Sequence, residues 1–200
     1  MSQIIQTDQP IILASGSPRR QAYFQDLGLN FTVKVADIEE KRLPGESPVA
    51  YVERLSREKA DWVARANPGS WVVAADTVVC LDGVVLEKPA DEEEAVAMLL
   101  QLSAQEHVVM TGVCLCNRKQ AVSDVRSVSS RVSFWKVPEE MIRAYVKTGE
   151  PLDKAGSYGI QGKGGFLVRE IVGSYSNIVG LPLCELIEML ANRNLIPLHH

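Results

Sequence analysis

The sequence predicts an α/β fold with a mixed sheet, and three observations carry that prediction. Short apolar runs alternate with helical stretches along the chain. Two of those helical stretches open on the same Ser-Pro signal. Asp82-Gly83 sits between two β-type runs, which is a two-residue hairpin signal and excludes a purely parallel sheet.

In chain order, Ile11–Ala14 reads as a strand. Ser17-Pro18 then gives an N-cap followed by proline at the first helical position, and the helix Pro18–Leu27 is stopped by Gly28. Phe31–Val35 is a second strand, followed by a polar loop from Ala36 to Ser47. Ser47-Pro48 repeats the start signal for a helix to about Ala66, which Asn67-Pro68-Gly69 ends. Trp71–Ala75 reads as a buried strand, and Val78–Leu81 pairs with Val84–Leu86 across the hairpin. Asp91 and Glu94 have cap and N3 spacing ahead of the helix Glu92–Leu102. Val108–Cys116 and Ala121–Phe134 read as paired strands joined at Asn117–Gln120, the second alternating in a way that predicts one wet face. A helix Pro138–Lys147, a glycine-rich stretch Gly156–Gly165, a strand Phe166–Ile171 and a helix Pro182–Arg193 complete the chain.

Two hundred residues suit one domain, spanning 1–198, and His199-His200 read as a tag remnant outside the functional reading. The composition, 46% hydrophobic and 23% charged with net charge −4, offers no global basic field for nucleic acid. No apolar segment is long enough to span a bilayer and the N-terminus has no secretory pattern, so the expected location is the cytoplasm. The four cysteines lack CxxC spacing. Cys114 and Cys116 lie two apart in a strand, so they read as buried thiols on one face rather than a zinc site.

The first candidate site is Ser15-Gly16-Ser17-Pro18-Arg19-Arg20. The helix dipole disfavours cations in the first turn, and a bound anion at the free N–H groups would resolve that conflict. Asp76-Thr77 is the second, interrupting an otherwise buried run. A buried carboxylate needs a cation, donors or a cleft. Glu39-Glu40 offers oxygens to a metal from the polar loop, against the plainer reading of a solvated pair. Lys59 sits among Arg54, Arg57 and Glu58, where surface pairing is the plain reading. Lys88 is held between a hairpin strand and Pro89. Gly159-Ile160-Gln161-Gly162 permits close backbone approach to a ligand, and the Gln161 amide both donates and accepts, which suits the edge of uracil or thymine.

Seven segments in fixed order resemble the Maf family of nucleoside triphosphate pyrophosphatases. They are Leu13-Ala14-Ser15-Gly16-Ser17-Pro18-Arg19-Arg20, Arg57-Glu58-Lys59-Ala60, Ala75-Asp76-Thr77 and Glu87-Lys88-Pro89. Asp153-Lys154-Ala155-Gly156, Tyr158-Gly159-Ile160-Gln161-Gly162 and Gly180-Leu181-Pro182-Leu183 follow. Each is weak alone, but together they are specific and cover about Ile11 to Leu195.

The resemblance implies a fold like the inosine triphosphate pyrophosphatases, a mixed twisted sheet flanked by helices with two lobes around a cleft. It implies hydrolysis of a nucleotide between the α and β phosphates with Mg²⁺ or Mn²⁺, and a homodimer. The sequence is similar to the branch acting on dTTP and UTP. That likeness makes Asp76 the proton acceptor and Arg19, Thr77 and Gln161 the specificity positions. The branch acting on 7-methyl-GTP has an aromatic residue at the Arg19 position and a phenylalanine–lysine pair with a glutamate in the Tyr158–Gln161 region.

On this reading Ser15, the first-helix amides, Arg20, Lys59 and Lys88 hold the triphosphate, while Glu40 with Asp76 holds the metal. Two other readings stand beside it: a pyrophosphatase for 7-methyl-GTP or another modified nucleotide, and a non-catalytic nucleotide-binding regulator of cell division.

Overall fold

The computed structural model describes residues 5 and 9–196. Among the described residues seven strands are hydrogen-bonded in the order β2 (Phe31–Val33), β1 (Ile11–Leu13), β3 (Trp71–Leu81), β5 (Glu106–Asn117), β6 (Val122–Phe134) and β7 (Val168–Val172), with β4 (Val84–Leu86) paired to β3, and the chain divides into two compact units.

The first unit comprises Met1–Asp76, Thr111–Ser127 and Gly180–His200. Its centre is β1 (Ile11–Leu13), which pairs in parallel with β2 (Phe31–Val33) on one side and β3 (Trp71–Leu81) on the other. Parallel pairs need crossovers, supplied here by α1 (Pro18–Asp26) and α2 (Pro48–Ala66). Strand side chains alternate between faces, so residue parity sorts the core. Ile11, Leu13, Trp71, Val73, Val113 and Leu115 join Phe24 of α1 and Leu186, Met189 and Leu190 near the C-terminus in one cluster. Ile12, Ala14, Val72, Ala74, Cys114 and Cys116 meet Ala60, Val63 and Ala64 of α2 in the other.

The buried positions of α2 recur in adjacent pairs every four residues, Tyr51-Val52, Leu55-Ser56, Lys59-Ala60 and Val63-Ala64, which is a helical stripe facing the sheet. The close approach depends on Gly112, where a Cβ would overlap the Val52 carbonyl. Both Ser-Pro signals mark helix starts, but they differ in bonding. Ser47 Oγ accepts from the Ala50 amide at 3.2 Å as a side-chain cap. Ser17 makes no such cap; its own amide donates to Ser15 Oγ at 3.2 Å, so Ser15 is the hydroxyl that organises the turn.

The second unit comprises Thr77–Met110 and Val128–Val179. Here β3 runs antiparallel to β4 (Val84–Leu86) around Asp82 and Gly83, whose positive φ values of 50° and 81° suit the hairpin turn the sequence predicts. The helix α3 (Glu92–Leu102) starts with Asp91 accepting from the Glu94 amide at 2.9 Å, while Glu94 reaches back to the Ala90 amide at 2.6 Å. The long strands β5 (Glu106–Asn117) and β6 (Val122–Phe134) are neighbours as expected. Along β6, Ser130, Val132 and Phe134 are buried while Ser129 and Arg131 are exposed, the predicted wet face. Behind them come α4 (Glu139–Val146), β7 (Val168–Val172), α5 (Tyr175–Val179) and, back in the first unit, α6 (Leu183–Asn192).

Three elements depart from the sequence reading. β3 is continuous through Asp76-Thr77 rather than interrupted there. The stretch after α4 forms three short 3₁₀ turns, Glu150–Asp153, Ala155–Ser157 and Lys163–Leu167, the last taking Phe166 out of the expected strand. The helix α5 had no sequence signal; buried Asn177 holds it, donating to the Val109 carbonyl at 3.0 Å and Ser130 Oγ at 2.9 Å. All four cysteines are unpaired, and Cys80, Cys114 and Cys116 are buried, whereas Cys184 is exposed. His199 and His200 lie outside the described residues.

Candidate active site

Strand parity determines where Asp76 points. Val72 and Ala74 face α2, so Asp76, the next even position on β3, faces the same helix. Lys59 lies on the buried stripe of α2, between Leu55 and Val63 at four-residue spacing, and faces the sheet. The two meet: Lys59 Nζ is 2.6 Å from Asp76 Oδ1, with relative exposures of 8% and 6%. This corrects the surface-pairing reading of Lys59 and explains why β3 tolerates a carboxylate in its interior. A buried carboxylate paired at this distance escapes the cost of an isolated charge.

A second carboxylate reaches the same ammonium. Glu40 Oε1 lies 2.8 Å from Lys59 Nζ, from an exposed position in the loop 36–47. That loop is fastened to α2. Glu46 takes a two-point contact from Arg54, Nε to Oε1 at 2.7 Å and Nη2 to Oε2 at 2.8 Å, and Arg54 Nη2 also donates to the Lys41 carbonyl at 2.9 Å. Arg42 holds the Glu46 carbonyl, and Tyr51 Oη donates to the Glu40 carbonyl at 3.3 Å. The Arg54 hydrogen bonds hold the Glu46 carboxyl down at about 2, against the upward pull of burial.

The turn after β1 joins this cluster through Arg20. Its Nε donates to the Gly180 carbonyl at 2.7 Å and its Nη1 to the Ala75 carbonyl at 2.8 Å and Ser15 Oγ at 3.2 Å. Arg20 therefore braces the residue immediately before Asp76 against the start of α1 and the segment after α5. Burial lowers the Arg20 pKa from its ordinary value, and the Asp76 charge opposes that shift. Arg19, its neighbour in sequence, is half-buried and makes no hydrogen bond or ion pair with any described residue. Ser15, Arg20, Lys59, Asp76 and Glu40 thus form one connected group in the first unit.

The other candidates, Thr77, Lys88 and Gln161, belong to the second unit. Thr77 is half-buried and by strand parity points to the opposite face from Asp76. Lys88 is exposed beside buried Pro89, and the Glu87 carbonyl accepts from the Gly156 amide at 3.2 Å. Gln161 is exposed in a turn closed by the Gly162 amide on the Gly159 carbonyl at 3.2 Å.

The glycines around Gln161 approach the protein's own Glu150 and Tyr145, a use the ligand-approach reading did not foresee. Glu150 was missed because Gly149-Glu150-Pro151 reads as an ordinary loop. The signal that marks it is the spacing of Gly159, Gly162 and Gly164, all of which crowd Lys154, Glu150 or Tyr145. Burial pulls the Glu150 carboxyl upward, but the amides of Lys163 and Gly164, the Tyr145 hydroxyl and the Lys154 charge outweigh it and hold it below its ordinary value.

The donor set fits a hard divalent cation. Mg²⁺ takes one or two carboxylates along with substrate phosphates and water, and Asp76 with Glu40 offers two carboxylates against one ammonium. A cavity of about 440 Å³ is lined by Arg57, Asp61, Trp62, Cys116 and Arg118 and by none of the candidate residues.

The Maf-like protein family matches residues 10–193. The dTTP/UTP pyrophosphatase of Desulfotalea psychrophila is 54% identical over 183 residues, covering 92% of this chain and 94% of that protein. Those of Myxococcus xanthus and Escherichia coli O157:H7 are 50% and 51% identical over 185 residues, each covering 92% of this chain and 93% of the relative. Among solved structures, the Ham1 protein of Staphylococcus aureus gives a TM-score of 0.46 at 15% identity, covering 63% of this chain and 72% of that one. With a family match over nearly its whole length and relatives at half identity, the chain belongs to the Maf family.

Proposed function

We propose that this chain is a nucleoside triphosphate pyrophosphatase that hydrolyses dTTP and UTP to the monophosphate and pyrophosphate. The observation that carries the chemistry is the buried Asp76–Lys59 pair with Glu40 on the same ammonium. Relatives at about half identity bear the name dTTP/UTP pyrophosphatase, which supports the substrate assignment.

Asp76 takes the proton of a water whose oxygen forms a bond to the α phosphorus, while the bond from that phosphorus to the α-β bridging oxygen breaks and pyrophosphate leaves. Lys59, 2.6 Å from Asp76 Oδ1, orients the carboxylate for that transfer. The amides at the start of α1, Ser15 and the charges of Arg20, Lys59 and Lys88 hold the triphosphate. Glu40 with Asp76 would hold Mg²⁺ or Mn²⁺, which neutralises phosphate charge when bound. Arg19, Thr77 and Gln161 select the nucleotide, Gln161 by matching the donor and acceptor edge of a pyrimidine imide.

The reading places the work in the cytoplasm, where nucleotide pools are found; no described helix is long and apolar enough to cross a membrane. A homodimer accompanies it on family resemblance.

Pyrophosphate release from dTTP, UTP, CTP, GTP and 7-methyl-GTP with Mg²⁺ or Mn²⁺ tests the proposal. Turnover of dTTP and UTP above the others supports it, and preference for 7-methyl-GTP moves the chain to the sister specificity. Tight binding without turnover would make it a nucleotide-binding regulator. Asp76→Asn is expected to fold and to lose about 10²- to 10⁴-fold in kcat, the range of a general-base contribution.

A further inference from the structure

Besides its own closure of the Gly162 amide on the Gly159 carbonyl, the Gln161 turn rests on half-buried Glu150 and buried Tyr145. Glu150 Oε1 accepts from the Gly164 amide at 3.1 Å and from Tyr145 Oη at 3.0 Å, and Oε2 accepts from the Lys163 amide at 3.0 Å. Tyr145 Oη in turn accepts from the Gly159 amide at 3.1 Å. Backbone donors on both sides of Gln161 therefore end on one carboxylate and one phenol. Gly162 completes the fit, since a Cβ there would lie 2.5 Å from Glu150 Oε1 and 2.7 Å from Oε2. The Gln161 side chain is exposed and makes no hydrogen bond with a described residue.

Uracil presents an acceptor at O4 beside a donor at N3, and cytosine presents the reverse. A glutamine amide rotated by half a turn matches either pattern. Where that amide is presented to a base depends on the backbone that carries it, and Glu150 with Tyr145 holds that backbone on both sides. We propose that Glu150, with Tyr145, is a positioning residue that sets the nucleobase preference of the enzyme by fixing the Gln161 turn for a uracil- or thymine-type edge. This rests on the pyrophosphatase reading above and names the residue that makes its specificity position work.

Two measurements on the full chain test it. Hydrogen exchange at the Gly159, Lys163 and Gly164 amides should accelerate at least about tenfold in Glu150→Ala, because each hydrogen bond to the charged carboxylate or to its partner phenol is loosened. Steady-state kinetics with UTP and CTP should then show KM for UTP raised about tenfold, kcat within about threefold, and the UTP-to-CTP preference reduced by a similar factor. Glu150→Gln, which keeps one acceptor oxygen, should fall between wild type and Glu150→Ala. Gly162→Ala, which keeps Glu150 but displaces it, should reproduce the loss. Glu150→Ala combined with Gln161→Ala should lose little more preference than either alone.

Unchanged exchange at the three amides overturns the positioning claim. So does faster exchange with the nucleotide preference intact, or an equal fall in kcat/KM for UTP and CTP. If the wild type cleaves neither dTTP nor UTP, the substrate proposal fails. The exchange arm then still decides whether Glu150 holds the turn, and the preference arm is read on the two best triphosphates of the panel.

Discussion

The Lys59 ammonium on α2 and the Asp76 carboxylate on β3 form a buried ion pair at 2.6 Å, seventeen residues apart in sequence. Its position follows from two periodicities. The four-residue stripe of α2 and the two-residue alternation of β3 each carry one charged residue among their buried apolar ones, and the two charges are opposite. An apolar interface thus holds an ion pair at one position along each element.

Removing the ammonium leaves Asp76 buried without its partner, so Lys59→Met is expected to destabilise the fold by about 3–5 kcal/mol, the cost of breaking a buried pair from one side. The urea midpoint should fall accordingly. Asp76→Asn should cost less, because Lys59 retains Glu40 at 2.8 Å. Equal destabilisation by the two substitutions would contradict the asymmetry.

Arg19 and Arg20 are adjacent but have separable roles. Arg20→Ala strips the Gly180 and Ala75 carbonyls of charged donors and is expected to destabilise by about 2–3 kcal/mol. Lysine should not rescue it, since one ammonium cannot reproduce the fork. Arg19→Ala should change stability by less than about 0.5 kcal/mol, as a substitution with no partner to lose. Its effect belongs in the nucleotide panel, as a shift in preference among triphosphates. Thermal melts of the two variants separate these roles.

The local signals of the sequence located most elements because each was self-contained. Ser47-Pro48 capped α2, Asp82-Gly83 made its hairpin, and Asp91 with Glu94 started α3. The site was legible as residue types but not as pairs. Lys59 looked like a surface lysine among charges, although its spacing from Leu55 and Val63 already placed it on the buried stripe. Asp76 looked like a strand break because its partner lay on another element. Glu150 was illegible for a different reason. Its partners are backbone amides in a segment with no helical or strand period, so no side-chain pattern pointed to it.

The loop carrying Glu40 depends on Arg54, and that dependence is testable against a neighbour. Arg54→Met removes the two-point contact to Glu46 and the bond to the Lys41 carbonyl, and kcat/KM is expected to fall about five- to tenfold as Glu40 loses its fixed position. Arg65→Met removes an exposed i,i+4 pair with Asp61 on the same helix, a contact contributing about 0.3–0.5 kcal/mol, and should leave activity unchanged. A drop in both variants would point to general damage to α2. A drop in Arg54→Met alone ties activity to the loop.

His107 makes the second unit sensitive to acid in a defined window. The ring is 1% exposed, edge-on to Phe134 at 4.9 Å and to Tyr158 at 5.4 Å, with Nε2 bonded to Tyr158 Oη at 2.8 Å. Its Nδ1 has no hydrogen-bond partner among the described residues, and burial lowers its pKa to about 4 from 6.5. The folded state therefore holds the neutral ring, while the unfolded chain takes up a proton between pH 6.5 and 4. More protons on the unfolded side means that stability rises with pH across that window, is complete above 6.5, and is lost as pH falls toward 4. The full contribution is about 3 kcal/mol. In His107→Gln this slope should vanish, so chemical denaturation at pH 7 and pH 4.5 should show wild type losing more stability on acidification than the variant. Parallel losses would assign the acid sensitivity to the carboxylates and leave His107 without a part in it.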